Sequence, residues 1–231
     1  MLIIDFNKQI SIFAPGKCGS SALAVNLHPF AVNQNEFYRH SHIKIISSKP
    51  LSVKSSDLVD TLHISFYSLR TADSYVMYRK LYSENNFKHY VFVREPVDRT
   101  ISGFETVINH YTTPLWHQYQ KDELPLEYLW EVAQRQKSYD YHIRPYLKRI
   151  SKYNITYHNI KHINKFLLQK YDIVGEEVPS IPLRDKQSSI DTIKKEMKKF
   201  RNDCAKQFDS VIANTDILSE IELYKELDIK E

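Results

Sequence analysis

The chain of 231 residues is poor in glycine, with four, and in cysteine, with two. So little glycine argues against fibrous and low-complexity architectures. Cys18 and Cys204 give no disulfide framework and no metal-ligand spacing. No apolar run approaches the roughly 18 residues that cross a bilayer. The first stretch, MLIIDFNKQISIF, is interrupted by Asp5 and Lys8 and has neither a basic leader nor a cleavage site. The expectation is therefore a soluble, cytoplasmic protein. Lys and Arg exceed Asp and Glu by 32 to 28. That mild excess favours an anionic ligand and is too weak to imply nucleic acid.

What is present suits a globular fold, with 42% apolar residues and sixteen tyrosines for clefts of mixed polarity. The length fits one domain spanning residues 1–231. The stretch that organises the rest is Ile10 to Leu27, ISIFAPGKCGSSALAVNL. It reads as an apolar strand, a tight turn with Pro15, Gly16 and Gly19, and a helix for which Ser20 and Ser21 supply N-cap oxygens. Such a turn directs backbone N–H groups at one spot, at the positive end of a helix dipole, and Lys17 adds a full charge. It asks for a phosphate-like group. Cys18 lies in this loop and reads as a small loop residue rather than a nucleophile.

A Walker A loop would need glycine at position 11 and Ser or Thr at 18; Ser11 and Cys18 stand there. The run K-C-G-S-S-A-L resembles instead the 5′-phosphosulfate loop of sulfotransferases, P-K-x-G-[ST]-[ST]-x-L, with Gly16 inserted between Pro15 and Lys17. A second motif is more specific. Residues 90–104, YVFVREPVDRTISGF, end a strand in arginine where a magnesium-dependent P-loop enzyme would carry a Walker B aspartate. Arg94, Glu95, Pro96, Arg99, Ser102 and Phe104 together resemble the 3′-phosphate motif of the same family, R-[DE]-P-x-x-R-x-x-S-x-[FY].

The resemblance implies a donor, 3′-phosphoadenosine-5′-phosphosulfate (PAPS), and a product, 3′-phosphoadenosine 5′-phosphate (PAP). It implies that Gly16, Lys17, Cys18, Gly19, Ser20 and Ser21 cradle the 5′ end while Arg94 and Ser102 bind the 3′-phosphate. Arg99 reads as a structural residue paired with an acidic neighbour. Asp140 to Pro145 is similar to the D-x-H-x-x-P-Q segment of carbohydrate-type members, with Tyr146 in place of the glutamine; His142 and Arg144 belong to it. Residues 171–176, YDIVGE, resemble a late strand of that group.

Further strands are expected at 42–47, 62–67, 88–94, 154–158 and 172–175, and helices at 71–82, 97–110, 124–136, 139–150, 160–170, 188–208 and 216–227. Strand and helix alternate in the first half, so the fold expected is α/β. It is a P-loop-like three-layer fold, with a mostly parallel central sheet flanked by helices and a helical C-terminal half.

Sulfuryl transfer needs a cradle for the leaving phosphate, a cation near the bridging oxygen and a base for the acceptor proton. Lys17 is the cation. His63, in the LHISFY run, is the candidate base, in the region where some glycan sulfotransferases carry H-x-x-F or H-x-x-Y; the alternative is a strand histidine bound to a backbone carbonyl. Glu36, His40, His42 and Glu105 are reserves. No metal is expected, and a saccharide hydroxyl is the favoured acceptor, ahead of a lipid or small metabolite. Two other readings stay open: a P-loop nucleotide or nucleoside kinase, and a PAP-binding module without transfer activity.

Overall fold

Four consecutive buried residues, Ile10–Phe13 (β2), pair antiparallel with four more, Leu2–Asp5 (β1), so that Leu2 faces Phe13 and Asp5 faces Ile10. No strand is expected at residues 2–5 from the sequence, where Asp5 interrupts the apolar pattern. Asp5 instead folds the hairpin: its Oδ1 accepts the N–H groups of Asn7 at 2.9 Å and Lys8 at 3.0 Å, the local bonding that aspartate offers at turns. The computed structural model describes residues 1–5, 7–30, 43–46, 87–136, 139–150, 155–175 and 190–230. The strand and helices expected between residues 57 and 82 lie outside them.

Around the hairpin the sheet adds Ile43–Ile46 (β3), Lys88–Val93 (β4), Thr156–Asn159 (β5) and Ile229–Lys230 (β6), in the order β3-β1-β2-β4-β5-β6. Every pairing other than β1–β2 is parallel, which makes this an α/β chain with a mostly parallel sheet. Within it Ser11 and His89 stand opposite each other, and Ser11 Oγ lies 2.6 Å from His89 Nδ1. Both are buried, so each satisfies the other's polar group.

The described helices are α1 (Ser20–Leu27), α2 (Pro96–Tyr111), α3 (Thr113–Gln120), α4 (Leu126–Arg135), the single turns α5 (Tyr139–His142) and α6 (Leu147–Ile150), α7 (Ile163–Tyr171), α8 (Ile190–Lys206) and α9 (Thr215–Lys225). The chain forms two compact units. One comprises Met1–Arg94, Tyr146–Val178 and Lys225–Glu231, and the other Glu95–Pro145 and Pro179–Tyr224.

In the first unit, Leu23 and Leu27 of α1 and Phe166 of α7 join one buried cluster with Ile12, Tyr90 and Phe92 of the sheet. Phe166 meets Tyr90 and Phe92 edge-on at 5.2 and 5.1 Å. In the second unit, Phe200 of α8 is the hub, with Phe104, Trp116 and Tyr119 rings 5.0, 5.2 and 5.5 Å away.

Two expected elements differ. Residues 139–150 form α5 and α6 rather than one helix, because Pro145 lacks the N–H and the space that a helix interior requires. The break leaves the carbonyls of Ile143 and Arg144 in need of donors, and Arg99 supplies them through Nη1 at 3.1 Å and Nη2 at 2.9 Å. Glu220 balances its charge at 3.9 Å. Residues 172–175 are not a strand: Asp172, at φ 57°, takes the left-handed conformation that closes α7.

Gly103 of α2 carries the close approach of α5. A Cβ there would stand 2.3 Å from the His142 carbonyl oxygen. Glycine-to-alanine changes inside helices ordinarily stabilise by about 0.5–1 kcal/mol. Gly103→Ala is expected to do the reverse, by roughly 1–3 kcal/mol, in urea unfolding; a stabilised variant would contradict the packing.

Candidate anion-binding site

The loop after β2 is built from two left-handed residues. The N–H of Cys18 donates to Pro15 O at 3.0 Å, and Lys17 has φ 66°, the pattern of a tight turn whose third residue is usually glycine. A lysine there costs about 1–2 kcal/mol of backbone strain. Gly19 follows at φ 80°. Left-handed residues on either side of Cys18 curl the backbone into the kind of concavity that gathers N–H groups around an anion.

The helix then opens without a side-chain cap. Leu23 N–H bonds Gly19 O at 3.1 Å, which makes Gly19 the N-cap. Ser20 and Ser21 are the first residues of α1, not the cap oxygens expected from the sequence. Glycine has no side-chain oxygen to offer, and the N–H groups of Ser20, Ser21 and Ala22 have no acceptor among the described residues. The start of α2 is the opposite case: Glu95 accepts from Val97 N–H at 3.1 Å and Asp98 N–H at 2.8 Å, with Pro96 in the first turn. One helix terminus is closed by its own carboxylate, while the other keeps its first N–H groups without an acceptor among the described residues.

Arg94 adds charge at the same end of the sheet. Phe13, the last residue of β2, is level with Val91 of β4, so the loop that follows β2 and Arg94, the residue after β4, leave the sheet at the same end. β2 and β4 are parallel neighbours, and open α/β sheets bind ligands outside the carboxyl ends of such strands. Arg94 is half-buried and has no hydrogen-bond or ion-pair partner among the described residues. A guanidinium so placed is a ready donor for phosphate oxygens.

Gly16, Lys17, Gly19, Ser20, Ser21 and Arg94 therefore stand at one end of the sheet. Cys18 differs in kind. It is fully buried, its N–H is committed to Pro15, and its Sγ lies 3.7 Å from the Tyr146 hydroxyl. Its side chain packs beneath the loop rather than facing solvent. Ser102 lies on α2, in the second unit, where it is 7% exposed; its tie to Arg94 rests on the sequence motif.

His63, Glu36, His40 and His42 fall outside the described residues. Glu105 is described and is held: Arg201 Nε and Nη2 reach its Oε2 at 2.9 and 2.8 Å. The pair ties α8 to α2 through this buried carboxylate. Cys204 in the same unit is no nucleophile, since burial, then Asp203 and Glu105, push its thiol well up. Burial chiefly, with Lys170 and His162 adding to it, pushes His158 of β5 below the usual imidazole range.

Among the described residues, no group of His, Cys, Asp or Glu is placed to hold a metal ion, and no helix is long and apolar enough to cross a membrane. What the sequence left unseen is the tyrosine under the loop and the left-handed lysine. No protein-family model matches the chain, and neither a curated protein nor a solved structure shows significant similarity to it.

Gly19 is fixed twice, by its φ and by Ile163, whose Cδ1 would lie 2.2 Å from an added Cβ. Gly19→Ala is expected to destabilise the fold by roughly 1–3 kcal/mol in urea unfolding; an unchanged midpoint would contradict the packing of this loop against Ile163.

Proposed function

We propose that this chain is a PAPS-dependent sulfotransferase, built on a P-loop-like fold, that moves a sulfuryl group from PAPS to an acceptor hydroxyl and releases PAP. The observation that carries the reading is the loop of residues 14–19, which opens an uncapped helix at the same end of the sheet as Arg94, an arginine that has no partner among the described residues. A magnesium enzyme of the P-loop class would need a hydroxyl at position 18 and a carboxylate at the end of β4. Cys18 is turned under the loop instead, and Arg94 follows β4.

In this reading the acceptor oxygen attacks sulfur in line, the bond from sulfur to the 5′-phosphate oxygen breaks, and the acceptor proton passes to a base, for which His63 is the candidate. The N–H groups of Gly19, Ser20 and Ser21 hold the 5′-phosphate. Lys17 meets the charge that grows on the bridging oxygen as that bond breaks, so its contribution is larger in the transition state than in the PAP complex. Arg94 and Ser102 read the 3′-phosphate. A saccharide hydroxyl is the favoured acceptor class.

The reading is tested by sulfuryl transfer from labelled PAPS into saccharide and lipid fractions, together with thermal stabilisation by PAP in the presence of a chelator. Transfer and chelator-resistant stabilisation are expected. Stabilisation by ATP with magnesium alone would favour a kinase, and PAP binding without transfer to any acceptor a binding module. A sharper expectation concerns Arg94→Ala. A charge-assisted bond from arginine is worth about 1.5–3 kcal/mol, so the variant should lose roughly 10- to 150-fold of the preference for PAPS over adenosine 5′-phosphosulfate. Retained preference in a folded variant would place 3′-phosphate recognition elsewhere.

A further inference from the structure

Tyr146 touches the loop at both of its ends. Its hydroxyl lies 3.7 Å from Cys18 Sγ, and its ring stands edge-on to Phe13, with centroids 6.4 Å apart and planes at 80°. Phe13 is the last residue of β2, where the chain enters the loop; Cys18 precedes Gly19, where it leaves for α1. All three side chains are buried, Tyr146 to 5% exposure and the others completely. Tyr146 is itself fixed, because Leu147 and Ile150 of the following turn are 1% and 0% exposed.

We infer that Tyr146 is a positioning residue of the anion loop, holding through Cys18 the turn that presents Lys17 and the first N–H groups of α1. The inference rests on the sulfotransferase reading. The turn is strained at Lys17, and strained conformations persist only where their surroundings over-determine them. Cys18 closes that turn with its N–H, so a shift of its side chain moves the residues on either side, Lys17 and Gly19. The Tyr146 hydroxyl restrains the thiol from below, and the ring blocks Phe13 from moving with it. A glutamine at this position, as in the segment that residues 140–145 resemble, would supply an amide but no ring for Phe13.

The test is calorimetry of PAP and of AMP, which shares the 5′-phosphate but lacks the 3′-phosphate. The proteins are the wild type, Tyr146→Phe, Cys18→Ala and the double variant, each with its ligand-free melting point measured. Loss of one buried hydrogen bond should weaken PAP by about threefold to tenfold in Tyr146→Phe. AMP should weaken by the same factor, because the defect lies in the 5′ loop, and the ratio of PAP to AMP affinity should stay at the wild-type value. The double variant should bind no more weakly than Cys18→Ala alone, since that change already removes the contact with Tyr146. Should Tyr146→Phe not fold, Cys18→Ala reads the same contact from the other side and must show the same equal weakening. Wild-type affinity in a folded Tyr146→Phe, or losses that simply add in the double variant, overturns the inference. A wild type that binds neither nucleotide overturns the sulfotransferase reading, and this inference with it.

Discussion

The left-handed turn at Lys17 and Gly19 sets how the chain passes from β2 into α1. Two left-handed residues bracket Cys18, and the turn stays in that shape because Gly19 is wedged against Ile163 and Cys18 against Tyr146. The strain has a chemical return: a helix that starts on glycine presents backbone donors with nothing of its own to satisfy them. A serine or aspartate at the cap would relieve the helix and close the site. The contrast with Glu95, which occupies the start of α2, shows both outcomes in one chain.

The two arginines of residues 94–99 divide labour in a way their spacing only partly reveals. Arg99 is 2% exposed and is used up by the Ile143 and Arg144 carbonyls and by Glu220. It repairs the break that Pro145 makes. Arg94 follows the last residue of a parallel strand and finds no such partner among the described residues. A guanidinium with saturated donors holds structure; one left open at a strand end is available to a ligand.

Strands with unambiguous β-branched or aromatic runs, such as Lys88–Val93, were legible in the sequence, as was the amphipathic helix that begins at Pro96. So was the structural part of Arg99, expected to pair with an acidic neighbour and found 3.9 Å from Glu220. Residues 2–5 were not legible as a strand, since Asp5 looks like an interruption until its turn bonds to Asn7 and Lys8 are seen. Nor was the break within 139–150, where helical periodicity on both sides of Pro145 outweighed the proline. At the site, residue types gave the loop and its charge. They did not give which residue caps α1, because serine is the stronger cap by preference while the turn geometry hands that place to Gly19. The tyrosine beneath the loop is 128 residues from Cys18 in sequence, a separation that no local pattern spans.

The central claim is that the backbone of this loop receives the 5′-phosphate of a nucleotide without a metal. Amide chemical-shift mapping during PAP titration in a chelating buffer tests it most directly. The N–H signals of Gly19, Ser20, Ser21 and Ala22 should move most and in proportion to one another, with Arg94 side-chain signals following on the same isotherm. Shifts centred elsewhere, or none until magnesium is added, would contradict the account.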